Sequence, residues 1–129
     1  MNNYKELSAL QAPAEKVFFA FDEKQLLEGL KKIGATREEV VSGIGGVIGR
    51  EADVREFHAF YEKNMERMAK ECTVDEVFRH EWWNHECGLT GDYEEAMEIV
   101  TDIFGENAFE NYDLQGTVQE LQKKFDEIN

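Results

Sequence analysis

The sequence has one proline, two cysteines and, from His80 to Gln122, no lysine or arginine at all. Each shortage excludes something. With only Pro13, and with no internal repeat or low-complexity linker, nothing divides the 129 residues, and one domain, 1–129, is the simplest reading. Two cysteines are too few for a disulfide framework and read as reduced thiols, free to pack or to bind metal. Long apolar runs are also missing. The longest, Val17 to Phe21 and Gly43 to Gly49, fall far short of the about 20 residues a membrane helix needs. The N-terminus lacks the basic-then-apolar layout of a signal peptide, so the expectation is a cytoplasmic protein with no membrane contact.

Catalytic signatures are absent as well. No nucleophile elbow, Walker sequence, kinase set or DNA-binding zinc-finger spacing occurs. The run "SGIGGVIGR", Ser42 to Arg50, has glycines but no lysine, so it reads as a turn plus a short strand rather than a phosphate loop.

What is present is acid. The chain carries 28 acidic and 14 basic residues, a net charge of −14. Residues 1–70 hold 12 acids and 11 bases, whereas residues 71–129 hold 16 acids against Arg79, Lys123 and Lys124. Between His80 and Gln122 eleven acids stand alone. Such a surface repels nucleic acid and attracts a basic protein.

The pattern along the chain predicts a mainly helical α+β domain with a small two- or three-stranded sheet. Residues 1–14 form a weakly ordered lead-in with a helical turn or two. "KVFFAF", Lys16 to Phe21, suits a strand that pairs with the end of the glycine run. Asp22 caps the next helix, with Leu26, Leu27, Leu30 and Ile33 as its apolar stripe, and Gly34 ends it. Thr36 with Glu39 makes a capping box. Asp53 is expected to cap the longest helix, Val54 to about Glu71, with Val54, Phe57, Tyr61, Met65, Met68 and Cys72 inward. Further boxes are expected at Thr73/Glu76, Asp92/Glu95 and Thr117/Glu120. The last opens a helix that turns Val118, Leu121, Phe125 and Ile128 inward.

The densest chemistry is "HEWWNH", His80 to His85. A zinc protease needs H-E-x-x-H, with the histidines one turn apart; here the spacing leaves them roughly 140° apart on a helix. His85 falls on the inner stripe with Val77, Phe78, Glu81 and Trp82, and His80 points away with Trp83. His58 lies on the inner stripe of the preceding helix. If the two helices form an antiparallel hairpin joined at Cys72 and Thr73, His58 lies about 21 Å from the joint and His85 about 18 Å, so they meet at its far end. Cys87 arrives at the same level. His58, His85 and Cys87 thus make a candidate structural zinc site, since imidazole and thiolate suit a tetrahedral zinc ion. His80 and Glu81 are alternative ligands, with Glu62 and Asp92 also in reach. The competing reading is two hydrogen-bonded core histidines beside an inert thiol.

A resemblance adds to this. "FFAFDEKQLLEGLKKIG", "IGGVIG" and "WNHECGLTGDYEEA", spread over residues 18–97, resemble small acidic proteins of bacterial phages and conjugative elements. Among these the chain is similar to the type II-A anti-CRISPR proteins, and in particular to a zinc-binding member. The resemblance implies a non-enzymatic, stoichiometric inhibitor in the host cytoplasm that binds Cas9 and blocks its use of guide or target DNA, without binding nucleic acid itself. The acids expected to meet the partner are Glu94, Glu95, Glu98, Asp102, Glu106 and Glu110. Alternatives are another basic nucleic-acid-binding defence protein as target, as for a DNA-mimicking antirestriction module, or a metal-dependent hydrolase.

Overall fold

A computed structural model describes residues 3–128. In chain order it runs α1 (Asn3–Ser8), β1 (Val17–Phe18), α2 (Glu23–Ile33), β2 (Val41–Ser42), β3 (Ile48–Gly49), α3 (Glu51–Glu71), α4 (Val74–Asn84), α5 (Cys87–Thr90), α6 (Glu94–Phe104) and α7 (Leu114–Ile128). The fold is mainly helical with a small three-stranded antiparallel sheet, as the sequence predicts. Met1 and Asn2 of the expected lead-in lie outside the described residues. None of the described helices is long and apolar enough to cross a membrane.

The chain divides into two compact units. One comprises Leu10–Asn64. Its sheet has the order β1-β3-β2, with Val17 opposite Gly49 and Val41 also opposite Gly49 in antiparallel registers. The pairing of "KVFFAF" with the glycine run is therefore present, although only Val17 and Phe18 keep strand geometry. Asp22 accepts from the Gln25 N–H at 2.7 Å, and Gly34 takes the left-handed conformation that ends α2. The Thr36/Glu39 box closes a single 3-10 turn. Arg50 then donates to the carbonyls of Ile33 and Gly34, satisfying the open end of α2. Val17, Val47 and Val54 form this unit's core, with Phe57 against it.

The other unit comprises Met1–Ala9 and Met65–Asn129. Its core joins Tyr4 and Leu7 of α1, Met68 and Cys72, then Val77, Phe78, Trp82, Cys87, Ala96, Val100 and Leu121. Within it α4 packs chiefly against α6, with α5 and α1 as further neighbours. Arg79, the one cation between Glu71 and Gln122, ties α4 to α7. Its Nε donates to both Asp75 oxygens at 2.9 Å and its Nη1 lies 2.5 Å from Glu120.

The expectations for α3 and α7 change. α3 begins at Glu51, not after Asp53, because the Arg50 carbonyl already accepts from the Asp53 and Val54 N–H groups. Its apolar stripe does not feed one core: Val54 enters the first, Met68 and Cys72 the second, and Tyr61 and Met65 between them are each 38% exposed. α7 begins at Leu114 because Asp113, not Thr117, takes the capping role, accepting from Gly116 N–H at 3.0 Å. Ile128, at the end of that helix, is exposed.

Candidate functional site

His85 marks a break. α4 stops at Asn84, His85 caps it, and Glu86 turns the backbone into the left-handed region (φ 53°, ψ 35°) before α5 starts. His85, counted on the inner stripe of this helix, therefore stands at its end instead. Trp82 remains inward and Trp83 outward, as the helical count predicts.

The break places the His85 ring between two carboxylates. Its Nε2 lies 3.0 Å from Glu81 Oε2 and its Nδ1 lies 2.9 Å from Glu95 Oε2. Glu81 is a buried acid, and its other oxygen accepts from the Tyr4 hydroxyl at 2.7 Å. Asn84 Nδ2 adds a long contact of 3.4 Å to the Oε2 side. Burial and the Glu81 carboxylate both push the Tyr4 hydroxyl well above the ordinary phenol range, so it stays a donor. Glu95 serves His85 rather than a capping box. The helix entrance is organised instead by Asp92, whose Oδ1 accepts from the Glu94 N–H at 3.0 Å. His85, Thr90, Asp92 and Glu95 line an open cleft of about 210 Å³.

His58 and His80 have their own partners. His58 belongs to the Leu10–Asn64 unit, where its Nε2 accepts from the Ile44 N–H at 3.1 Å and so pins the glycine-rich turn. The turn comes so close that a Cβ at Gly43 would stand 2.5 Å from that nitrogen. His80 packs edge-on against the Tyr4 ring at 5.2 Å. Cys87 is buried, and burial together with the Asp92 charge raises its thiol above the usual value, which favours the protonated form. Glu62 is an exposed residue of α3. Among the described residues no group of three or more His, Cys, Asp or Glu side chains is arranged to hold a metal ion.

A family model matches residues 11–129. The chain belongs to DUF7659, a family of unknown function. No curated protein and no solved structure matches it. The matched span takes in every element except α1, and hence both the histidine break and the acidic helix that follows.

That helix carries the second feature. Glu94, Glu95, Glu98 and Asp102 of α6 are all exposed, as are Glu106 and Glu110 just beyond. At about 100° per residue the four acids of α6 fall within roughly 100° of the helix circumference. Ala96, Ile99, Val100 and Ile103 occupy the opposite side, and Ala96 and Val100 are fully buried. The six acids expected to face a partner therefore do face solvent, four of them as one stripe.

Proposed function

We propose that this protein is a non-enzymatic inhibitor that docks through the acidic stripe of α6 onto a basic, nucleic-acid-binding protein, with Cas9 as the target that the resemblance implies. One observation carries the reading. Glu94, Glu98 and Asp102 repeat at one-turn spacing on an exposed face with no cation among them. Like charges four apart weaken a helix, and the N-terminal dipole favours only Glu94 of the three, so folding alone gives no reason for Glu98 and Asp102. Attraction to a positively charged surface does give one, through faster encounter and complementary contact. Cas9 holds its guide–target duplex in a positively charged channel, where a compact polyanionic face competes with the phosphates.

The test is binding to purified guide-loaded Cas9 and inhibition of its DNA cleavage, at two ionic strengths. The wild type is expected to bind and inhibit, less so at higher salt. Glu94→Lys/Glu98→Lys/Asp102→Lys is expected to lose both activities. Glu28→Lys/Glu62→Lys, which reverses exposed acids elsewhere, keeps them. Glu95 is left out because His85 engages it, and Glu39 because it caps a turn. No binding to Cas9 removes that target, and inhibition of a restriction enzyme instead assigns the acidic face to a DNA-mimicking antirestriction role. Zinc is tested separately by elemental analysis. One equivalent that disappears in His85→Ala and Cys87→Ser supports a structural ion, and a metal-free wild type removes it.

A further inference from the structure

A second surface takes in residues from before and after the histidine break. Trp82, Trp83, Glu86, Gly88, Leu89 and Phe125 line an open cleft of about 230 Å³. Consecutive positions on the last turn of α4 give the two tryptophans different jobs. Trp82 is 1% exposed and forms the floor, while Trp83 is 40% exposed and forms a wall. Their rings meet edge to face at 5.0 Å, and Phe125 from α7 packs 6.3 Å from the first and 6.1 Å from the second. Gly88 makes this approach possible, since a Cβ there would stand 2.5 Å from the Phe125 ring and 2.8 Å from Trp82. Gln122 Nε2 donates to the Gly88 carbonyl at 3.1 Å and holds that wall against α7.

Glu86 stands at the rim. It is the one non-glycine residue with positive φ among those described, and a glycine there would take the same backbone conformation without steric cost. Its side chain is exposed, and no described residue gives its carboxylate a hydrogen bond or an ion pair. No lysine or arginine lines the cleft. Three aromatic rings whose faces carry negative potential therefore stand beside an uncompensated carboxylate, which is complementary to a flat organic cation.

We infer that this cleft binds the guanidinium of an arginine side chain presented by a basic protein partner. The planar guanidinium stacks on the exposed Trp83 face while its N–H groups donate to the Glu86 carboxylate. The residues are distinct from the α6 stripe, so either surface can fail without the other.

The chain's only two tryptophans both line the cleft, so intrinsic fluorescence reports on it directly. The experiment titrates the full chain at low salt with acetyl-Gly-Arg-Gly-amide, and with the matched citrulline and norleucine peptides. The arginine peptide is expected to give a saturable change. Citrulline, isosteric but uncharged, should bind about fivefold or more weakly. Glu86→Gly, which keeps the backbone conformation and removes the carboxylate, should lose the preference for arginine. Glu94→Lys/Glu98→Lys/Asp102→Lys should retain it. Equal binding of the citrulline or norleucine peptide overturns the proposal. So does an undiminished arginine preference in Glu86→Gly, loss of arginine binding in the α6 variant alone, or no saturable change at millimolar peptide.

Discussion

The Tyr4 hydroxyl donates to Glu81 Oε1 at 2.7 Å across 77 positions of chain, and so fastens α1 to the buried acid of α4. A carboxylate taken out of water needs such partners, because removing one leaves an uncompensated polar atom inside. Glu81 has three in Tyr4, Asn84 and His85.

Tyr4→Phe keeps the ring in the core and deletes the donor. The expected cost is about 1.5–3 kcal/mol, the range for a hydrogen bond to a charged group. In urea denaturation the midpoint should fall while the slope stays constant. In a double-mutant cycle with Glu81→Gln the two losses should not add, because the residues share one interaction. Additive losses would mean that the Tyr4 hydroxyl stabilises the unit independently of Glu81.

Local chemistry was legible in the sequence and long-range chemistry was not. Asp22, Gly34 and the Thr36/Glu39 box act where their spacing predicts, because a cap is decided within four residues. The exposed stripe of α6 follows from periodicity in the same way. Asp113 displaced Thr117 because two capping residues four apart compete and the sequence does not rank them. Glu95 left its expected box for His85 because α4 ends at a left-handed glutamate, a conformation with no strong sequence signal outside glycine and asparagine. The stripe of α3 reads as one face, yet its two ends enter different cores, which helical spacing cannot express. Tyr4 and Glu81 are too far apart in sequence for either to announce the other.

Asp75 ties stability to acid pH. Burial works against its ionisation, but hydrogen bonds from Tyr112, at 2.5 Å, and from Arg79 outweigh that and hold the carboxyl below its usual value of 3.8. A depressed carboxyl stabilises the fold above the unfolded value, and that contribution disappears as pH falls through the folded one. Because the side chain is about half exposed, the effect should be modest. Tyr112→Phe and Arg79→Met should each raise the Asp75 titration midpoint in NMR, and should flatten the loss of stability below pH 3.8. An unchanged midpoint in both variants would exclude the network as the cause.

The thiols give an alkaline counterpart. Burial and the charges of Glu76 and Glu71 push Cys72 from 9.0 up to about 11. The native state then keeps a proton that the unfolded chain has released, so stability should fall as pH rises from 9 to 11. Cys72→Ala should lessen that fall. Both cysteines are buried, and a thiol-disulfide reagent at pH 8 should label them slowly in the native protein and at once in denaturant. Rapid native labelling of Cys87 would show that the histidine break opens on its own.

Glu98 separates binding from folding on α6. It has Glu94 one turn before it and Asp102 one turn after, and no cation on that face to offset them. Each like-charge pair costs a few tenths of a kcal/mol, so Glu98→Lys should turn two repulsions into two attractions and stabilise the protein by about 1 kcal/mol at low salt. The gain should shrink as ionic strength rises. If the stripe exists to meet a basic partner, the same substitution weakens partner binding, most of all in the association rate. A variant that melts higher and binds worse is the signature of charge kept for recognition at the expense of the helix. A variant that melts higher and binds as well as the wild type would place the partner surface elsewhere.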